Sequence, residues 1–373
     1  MDACDLCGMA FVFDAITVDG RTLRSADAMQ HFDRLADSGE SGTWATPLRA
    51  FVHELLSYKT RALTVQTSGT TGPPKAMSLP RRDLVNSARL TAEVFGLKSG
   101  DRALMCLPGA FIAGKMMIVR GMVLGLDLHV VDPRGSVLDK LRSADHFRFA
   151  AMVPLQLHRA IQEDRSRVED LFDTILLGGG PVSAVFAEDI AMLRTKVYQG
   201  YGSTETVTHV AIRGLNAAAD PMEFGIDAPF RATGKVSFGR DPRGCLVVYT
   251  PHLSVKQHVT NDLVELIDDT DFRWLGRYDN VILSGGKKIF PEGLEARTAG
   301  VIPYAHYFTA TPDDVLGQTV MLVLETDRPQ DEVLPEVIER IMETLEPHEW
   351  PRRVQAIRSL ERTGTGKVIR HQE

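Results

Sequence analysis

The chain has 373 residues, 44% hydrophobic and 24% charged, which is enough for two or three domains with separate cores. Its formal net charge of −7 at pH 7 gives no electrostatic attraction to nucleic acid or to an anionic membrane surface. Four cysteines are too few for a disulfide framework at this length, so we expect free thiols in a reducing compartment. Cys4 and Cys7 have the spacing of a zinc or redox site, which stays as the alternative, although no second ligand pair is near.

The amino-terminal residues do not resemble a secretory signal, because they include Asp2 and Asp5 and no basic run. The most apolar stretch, residues 116–131, is interrupted by Arg120 and Asp127 and is too short to span a bilayer. We therefore predict a cytoplasmic protein without membrane insertion.

Apolar periodicity and turn residues predict that helices and strands alternate from residue 25 to residue 206. The predicted helices span residues 25–36, 46–58, 83–95, 154–163 and 183–193. The predicted strands span residues 63–66, 102–107, 126–131, 149–153, 174–177 and 197–199. The apolar residues 116–124 indicate a further buried helix or the wall of a pocket. Such alternation predicts a mostly parallel sheet covered on both faces, with ligands beyond the carboxyl ends of its strands.

The pattern changes near residue 228, where short strands separated by tight turns predict a small, barrel-like β-subdomain. The predicted strands are 232–238, 245–250, 263–267 and 272–275. The remaining elements are strands at 281–283 and 320–326 and helices at 294–298 and 335–345. The sequence thus predicts an α/β fold, with a large N-terminal domain of mostly parallel sheets, the β-subdomain, and a small mobile α+β C-terminal domain.

The stretch from residue 65 to residue 77 has the composition of a polyphosphate-binding loop. Its chemically useful residues are Thr67, Ser68, Gly69, Thr70, Thr71, Gly72 and Lys75. The glycines let backbone N–H groups approach an anion, the hydroxyls add donors, and the lysine adds a mobile positive charge. The spacing differs from the common nucleotide P-loop, because only two residues separate the glycines and Ala76 follows the lysine. A plain polar surface loop is the alternative.

This stretch resembles the phosphate loop of the adenylate-forming superfamily, which includes the acyl-CoA synthetases. Further motifs follow in that family's order, and several ordered motifs together rarely arise by chance. They are Gly178-Gly179-Gly180, Tyr201-Gly202-Ser203-Thr204-Glu205, Thr260-Asn261-Asp262, Gly276-Arg277-x-Asp279, Ser284-Gly285-Gly286 and Thr363-Gly364-x-Gly366-Lys367.

The resemblance implies a role for each matching residue on the nucleotide side. Tyr201 and Gly202 would lie with the Gly178–Gly180 turn against adenine. Thr204 would reach the α-phosphate, and Glu205 would hold Mg²⁺, which prefers oxygen ligands.

The later motifs imply the remaining roles. Asp262 would bind the ribose hydroxyls, and Arg277 would contact ribose or phosphate. Asp279 would be the hinge residue, and Gly285 and Gly286 would leave room for coenzyme A.

Lys367 resembles the family's catalytic lysine, whose flexible positive charge bridges the substrate carboxylate and the α-phosphate. The resemblance implies an N-terminal adenylation domain over residues 1–277, a mobile C-terminal domain over residues 280–373, and a hinge near residues 278–279.

A narrower resemblance is to the o-succinylbenzoate–CoA ligases of menaquinone biosynthesis. It lies in residues 107–108, 112–120, 205–213, 260–265 and 274–286. The substrate of that group has two carboxylates, and Lys115, Arg120 and His209 are candidates to anchor the one that is not activated. A structural ion pair for Arg120 and a core position for His209 are the alternatives. The phosphate loop begins earlier than in most of the superfamily, so we expect a shortened N-terminal region.

The resulting hypothesis is a ligase that uses ATP, Mg²⁺ and coenzyme A, forms an acyl adenylate, and exists as a possible homodimer. Three alternatives stay open. They are an aryl- or acyl-CoA ligase for another acid, an adenylating enzyme that loads a carrier protein, and a nucleotide-binding regulatory protein without activity. The last would be expected to lack a key side chain, yet Lys75, Glu205, Asp262 and Lys367 are all present.

Overall fold

The computed structural model describes residues 13–38, 43–57, 61–66, 76–362 and 368–371. Within these ranges no helix has both the length and the hydropathy needed to cross a membrane. Cys4 and Cys7 lie outside the described residues, and Cys106 and Cys245 are buried free thiols.

The described helices carry the labels α1 to α8 in chain order. They are α1 (Ser25–Ala36), α2 (Thr46–Ser57), α3 (Arg81–Phe95), α4 (Ile112–Leu124), α5 (Pro154–Leu171), α6 (Ala184–Ala191), α7 (Pro291–Thr298) and α8 (Gln330–Thr344).

The described strands are labelled in the same way. The first eleven are β1 (Ala15–Val18), β2 (Arg21–Arg24), β3 (Ala62–Gln66), β4 (Ala76–Pro80), β5 (Arg102–Met105), β6 (Asp127–Val130), β7 (Phe149–Met152), β8 (Thr174–Leu177), β9 (Lys196–Gly202), β10 (His209–Gly214) and β11 (Phe230–Ala232). The others are β12 (Ser237–Arg240), β13 (Cys245–Tyr249), β14 (Gln257–Leu266), β15 (Asp271–Arg277), β16 (Ile282–Ser284), β17 (Lys287–Ile289), β18 (His306–Asp313), β19 (Gly317–Glu325) and β20 (Arg353–Ile357).

The chain forms two compact units. The first comprises Met1–Gly180, Asp189–Ser237 and Tyr249–His258, and the second comprises Pro181–Glu188, Phe238–Val248 and Val259–Glu373. Residues 278–279, the predicted hinge, lie inside the second unit, and the predicted domain boundary stays a prediction.

In the first unit the main sheet follows the order β11-β10-β9-β8-β7-β5-β6-β1-β2. The strands from β9 to β1 in this order pair in parallel, whereas β10, β11 and β2 pair antiparallel. This confirms the predicted α/β class and its mostly parallel sheet. Helix α4 is the buried helix that the apolar run indicated, and its methionines and branched residues are in the core.

A separate two-stranded sheet holds the ends of the predicted phosphate loop. Strands β3 and β4 pair antiparallel, with Gln66 opposite Ala76. The sequence predicted only β3, because β4 is short and has no alternating apolar pattern. Residues 67–75 connect the two paired ends.

In the second unit, β12, β13, β14 and β15 follow one another in the sheet, and β17, β16, β19 and β18 form another sheet to which β20 adds in parallel. Helices α7 and α8 pack on the latter through Leu294 and Val337, which share a core with Phe308 and Leu322. This is the predicted α+β arrangement.

The predicted strand over residues 232–238 is wrong. The chain turns at Thr233, whose carbonyl accepts the N–H of Val236 at 3.2 Å, so two strands, β11 and β12, replace one. The helix predicted from residue 335 begins at Gln330, because Pro335 lies inside α8 rather than at its first turn. Helix α5 is interrupted at Asp164, which has φ of −162° and ψ of 96°, directly after the predicted end at residue 163, and helical residues then continue to Leu171.

Helix α4 approaches the preceding loop closely at Gly114. A Cβ at this position would lie 2.3 Å from the carbonyl oxygen of Pro108, a backbone atom that cannot easily move. Alanine has a helix propensity about 1 kcal/mol more favourable than glycine, but overpacking costs about 1–3 kcal/mol. We therefore expect Gly114→Ala to lower the free energy of unfolding by about 1–2 kcal/mol in urea denaturation. The exposed Ala113→Ser is the control and should change it by less than about 0.5 kcal/mol. A stabilised Gly114→Ala protein would contradict this packing.

Candidate active site

The two segments that carry the predicted phosphate loop and catalytic lysine lie outside the described residues. Thr67, Ser68, Gly69, Thr70, Thr71, Gly72, Lys75 and Lys367 therefore keep their predicted roles as predictions. The flanks of both segments are described. Gln66 pairs with Ala76, and Arg362 forms an antiparallel bridge with Val368, so residues 363–367 connect two paired positions.

The Tyr201-to-Thr206 motif forms the end of β9 and the reversal into β10. The hydroxyl Oγ1 of Thr206 organises this reversal, because it accepts the N–H of Ser203 at 2.9 Å and donates to the carbonyl of Thr208 at 2.9 Å or of Ser203 at 3.1 Å. The N–H of Thr208 donates to the carbonyl of Thr206 across Val207, which has φ of +67°. This is a γ-turn of the rare, strained form.

Glycine is required at residue 202 by a close approach of two backbone segments. Gly202 pairs with His209 in the sheet, and a Cβ at residue 202 would lie 2.3 Å from the carbonyl oxygen of Thr208. The predicted role of Gly202 at the adenine stays untested, but the structure gives the residue a steric reason of its own.

One face of β9 brings the predicted adenine-side residues together. Gln199 donates from Nε2 to the carbonyl of Gly180 at 3.4 Å, and its Oε1 accepts two N–H groups of Arg213 at 3.0 and 2.7 Å. The guanidinium of Arg213 lies over the ring of Phe230 at 4.5 Å, and that ring is 5.7 Å from the ring of Tyr201. Gln199 and Arg213 thus connect the Gly178–Gly180 turn to the aromatic motif, and no role was predicted for either residue.

Glu205 has an exposed carboxylate, and no described residue forms a hydrogen bond or an ion pair with it. Burial lowers the pKa of His258, and the carboxylate of Glu205 partly opposes that shift, so the two side chains are electrostatic neighbours. The described residues contain no group of three or more His, Cys, Asp or Glu side chains that could hold a metal ion. A free carboxylate oxygen still fits Mg²⁺, which commonly takes one or two carboxylates and completes its shell with water and substrate phosphates.

Arg120 is buried inside the first unit, with 2% of its surface exposed. It donates to the hydroxyl of Thr91 at 3.2 Å, to the hydroxyl of Thr208 at 3.0 Å and to the sulfur of Met117 at 3.5 Å. No carboxylate of the described residues pairs with it, so the structural ion pair considered above does not form within this part of the chain. Burial lowers the pKa of Arg120 to about 10, and the guanidinium stays charged at neutral pH.

His209 lies beside Arg120 and is equally buried. Its Nδ1 is 3.2 Å from the hydroxyl of Thr208, and its Nε2 has no hydrogen-bond partner among the described residues. Burial, with a contribution from Arg120, lowers the pKa of His209 to about 3, so the ring is neutral at physiological pH. Phe95 packs against this ring at 5.9 Å and against Phe149 at 5.2 Å. The result is a buried aromatic cluster with one uncompensated positive charge.

Lys115 stands apart from this cluster. Its Nζ lies 5.4 Å from the ring centre of Phe51, and burial lowers its pKa while Glu54 partly opposes the shift. Within the described part of the chain, no hydrogen bond, ion pair or ring contact joins Lys115 to Arg120 or His209, so its anchoring role stays a prediction.

In the second unit, three predicted residues form one polar cluster. Arg277 donates to Asp262 at 3.3 Å and to Asp279 at 3.1 Å, and Asn261 donates to Asp279 at 3.1 Å. Burial lowers the pKa of Arg277, but both carboxylates outweigh it and the net shift is upward. The predicted ribose acid and the predicted hinge residue therefore share one guanidinium.

Gly285 and Gly286 form the turn of the β16–β17 hairpin. Ser284 pairs with Lys287, and the two glycines have φ of +55° and +82°. Two positive φ values in a two-residue hairpin turn are typical of type I′, which favours glycine strongly. The glycines thus have a conformational role, and the predicted space for coenzyme A stays a prediction.

A cavity of about 200 Å³ in the first unit includes Tyr198 and Arg213 in its lining. Another, of about 350 Å³, is lined by Arg148, Glu169, Asp173, Arg194 and Lys196, near the amino ends of β7, β8 and β9. This larger cavity lies at the sheet edge opposite the predicted motifs, and its acidic residues Glu169 and Asp173 already pair with arginines. We therefore assign it no ligand.

Comparison with known proteins identifies the family of the chain. The family described as AMP-binding enzyme matches residues 14–236. A 2-succinylbenzoate–CoA ligase of a Geobacillus species is 24% identical over 83% of this chain and 68% of its own length. A probable 2-succinylbenzoate–CoA ligase of Mycobacterium tuberculosis is 28% identical over 83% of this chain and 82% of its own length.

Solved structures give the same result for the fold. An acyl-CoA synthetase (AMP-forming)/AMP-acid ligase II-like protein of Dyadobacter fermentans is 36% identical, with a TM-score of 0.57 over 87% of this chain and 92% of its own. The o-succinylbenzoate–CoA synthetase of Bacillus subtilis, solved with ATP and magnesium, has a TM-score of 0.76 at 19% identity, over 98% of both chains. With the family match covering more than half of its residues, the chain belongs to the family of AMP-binding enzymes.

Proposed function

We propose that the protein is an ATP-dependent acid–CoA ligase that forms an acyl adenylate, and that its acid is 2-succinylbenzoate. The observation that carries the choice of acid is the buried guanidinium of Arg120, which has no carboxylate partner among the described residues. A buried charge is costly unless it is paired, so this position favours a ligand that brings an anion with it.

The surroundings of Arg120 fit an aromatic acid. Phe149 lies 6.0 Å from the guanidinium, and Phe95 contacts Phe149, Tyr198 and His209. A flat apolar ring can pack in such a cluster while the carboxylate that is not activated reaches Arg120. His209 is neutral there, so Arg120 supplies the positive charge.

The named relatives support the same choice. The ligases of Geobacillus and Mycobacterium tuberculosis act on 2-succinylbenzoate by name, and their matches cover 83% of this chain. A second structure from Bacillus subtilis holds the acyl-adenylate of that acid, at 19% identity and a TM-score of 0.75.

In the first half-reaction, an oxygen of one carboxylate of the acid, the one that is not held by Arg120, attacks the α-phosphorus of ATP. The bond from that phosphorus to the oxygen bridging to the β-phosphate breaks, and pyrophosphate leaves with the electron pair. Residues 67–75 would hold the departing polyphosphate, Thr204 the α-phosphate, and Lys367 the two reacting anions. When bound, Mg²⁺ supplies positive charge to the phosphate oxygens, and Glu205 is the residue that would hold it.

In the second half-reaction, the thiol of coenzyme A attacks the acyl carbon of the adenylate. The thiol proton is lost, the bond to AMP breaks, and the thioester forms. In this proposal the C-terminal domain rotates near residues 278–279, so that Lys367 withdraws and Gly285 and Gly286 border the thiol's path.

A different acid is the first rival, and one observation favours it. The relative with 36% identity carries only the general description of an AMP-forming acyl-CoA synthetase. ATP–pyrophosphate exchange with 2-succinylbenzoate, benzoate and fatty acids separates the two, and exchange that is fastest with a monocarboxylate would overturn our choice of acid.

The other rivals are separated by the acceptor and by activity itself. An enzyme that loads a carrier protein would release AMP at the same rate with or without free coenzyme A. A regulatory protein without activity would show no pyrophosphate exchange with any acid. A cytoplasmic location and a homodimer stay predictions, and light scattering of the purified protein tests the second.

Replacing Arg120 with methionine should remove the anchor for the second carboxylate while keeping similar volume. We expect kcat/KM for 2-succinylbenzoate to fall on the order of 100-fold, about 3 kcal/mol, because charge-assisted bonds to a buried carboxylate are lost. The value for benzoate should change less than about tenfold, since benzoate has no second carboxylate.

Arg81 provides the matched control, because it is also buried but donates to the backbone carbonyls of Glu54 and Leu55. Arg81→Met should lower stability without changing the ratio of the two kcat/KM values. Equal losses for both acids in Arg120→Met would show that Arg120 does not select the acid.

Replacing Lys367 with alanine should separate the half-reactions. Adenylation, measured in a single turnover with ATP and acid, should fall on the order of 1000-fold, because the charge that bridges two anions is gone. Thioester formation from supplied acyl adenylate should change by less than about threefold. The exposed Lys196→Ala is the control and should leave both rates unchanged. Equal loss of both rates in Lys367→Ala argues against the domain rotation.

A further inference from the structure

Two half-buried carboxylates and one guanidinium form a cluster in the second unit. Arg370 donates from Nη1 to Glu292 Oε1 at 3.0 Å and from Nη2 to Glu295 Oε2 at 2.5 Å. The three side chains are 17%, 9% and 23% exposed, respectively. One arginine thus spans two acids of helix α7, and we call these three residues the α7 clamp.

The clamp is bonded to the segment that carries the predicted hinge. Asn280 donates from Nδ2 to Glu292 Oε1 at 2.5 Å, so the same carboxylate oxygen serves residue 280 and Arg370. The second carboxylate oxygen of Glu292, Oε2, lies against Gly276. A Cβ placed on residue 276 would be only 2.7 Å from this oxygen. Glu292 therefore contacts residues on both sides of Asp279.

The clamp also holds the chain that follows residue 367. Val368 bridges to Arg362, the N–H of Ile369 donates to the carbonyl of Glu361 at 2.8 Å, and the carbonyl of His371 accepts the hydroxyl of Thr309 at 3.3 Å. Arg370 comes three residues after Lys367 in the sequence, a span of at most about 11 Å. Arg370 is therefore a described residue close in sequence to the predicted catalytic lysine.

The charges of the clamp indicate a role other than stability. Burial raises the pKa of Glu295, against the opposing effect of Arg370. Oε2 of Glu292 and Nε of Arg370 are buried without hydrogen-bond partners among the described residues. Two acids compete for one cation, and a buried ion pair of this kind is weak evidence for stability because desolvation offsets its attraction. The planar guanidinium of Arg370 does, however, fix the orientation of the two carboxylates that it binds.

We propose that Arg370, held by Glu292 and Glu295, is a positioning residue for adenylation, because it fixes the base of the segment that carries Lys367 against helix α7 and residues 276–280. The role of Arg370 in adenylation rests on the proposed function. A purely structural ion pair is the competing interpretation.

The kinetic test compares Arg370→Met, Arg370→Lys and Glu295→Gln in single turnover. We expect adenylation to fall at least tenfold in Arg370→Met and Glu295→Gln, and thioester formation from supplied acyl adenylate to change less than twofold. Arg370→Lys should fall between wild type and Arg370→Met, because lysine keeps the charge but cannot span both acids. Arg340→Met removes an exposed ion pair with Glu336 in the same unit and should leave both rates unchanged.

A second measurement does not depend on activity. Hydrogen–deuterium exchange of the full chain without substrates should be faster at the amides of Ile369 and Phe308 in Glu295→Gln. The first donates to Glu361, and the second donates to Glu295 itself at 3.0 Å. In Arg370→Met, exchange should rise at residues 368–371 while the sheet core around Leu322 keeps its wild-type protection.

The outcomes separate the two interpretations. Equal losses of both half-reactions, or losses that match a decrease in the folded fraction, would overturn the positioning role. Unchanged exchange at residues 368–371 in Arg370→Met would overturn it as well. If the wild-type protein adenylates no acid, the proposed function fails, and the exchange data alone decide whether the α7 clamp holds this segment.

Discussion

The residues of the predicted site that lie in the first unit depend on the tight turn between β9 and β10. Gly202 and His209 are paired in the sheet, so the chain must turn within residues 203–208. It does so through the hydroxyl of Thr206 and the positive φ of Val207, a strained conformation that the surrounding hydrogen bonds maintain. Thr204 and Glu205 thereby stand a few residues from Thr208, so the predicted phosphate-side residues and the Arg120 cluster are parts of one loop.

Thr208 forms hydrogen bonds both to Arg120 and to the turn between β9 and β10. Its hydroxyl accepts from Arg120, while its carbonyl accepts from Thr206 and its N–H bonds back to the same residue. A change in how Arg120 is paired therefore acts directly on the turn that holds Thr204 and Glu205. Buried polar groups joined in this way are coupled, because removing one partner leaves the others unsatisfied.

Much of the fold could be predicted because it follows from local patterns. The helix over Ser25–Ala36 has the predicted bounds because its buried residues follow the helical period. The strand over Thr174–Leu177 has them because a short, continuous apolar run ends at the Gly178 turn. The strands that were missed are β1, β2, β4, β10, β17, β18 and β20. Pairing with a neighbouring strand, rather than an alternating apolar pattern of their own, stabilises them. The single predicted strand at 232–238 failed for the same reason, since a contact to Val210 makes the chain turn there.

The sequence by itself determined the chemistry available to this protein: a glycine- and hydroxyl-rich loop with Lys75, an aromatic–hydroxyl–carboxylate motif at residues 201–205, and the α/β class. These follow from residue type, order and spacing, which the chain carries without folding. Only the tertiary structure decided that Arg120 lies buried without a carboxylate partner among the described residues, and that Glu292 and Glu295 share Arg370. Burial and pairing depend on which distant segments meet, and no local pattern records this, because a charged residue in a helix has the same sequence signature whether it faces water or the core.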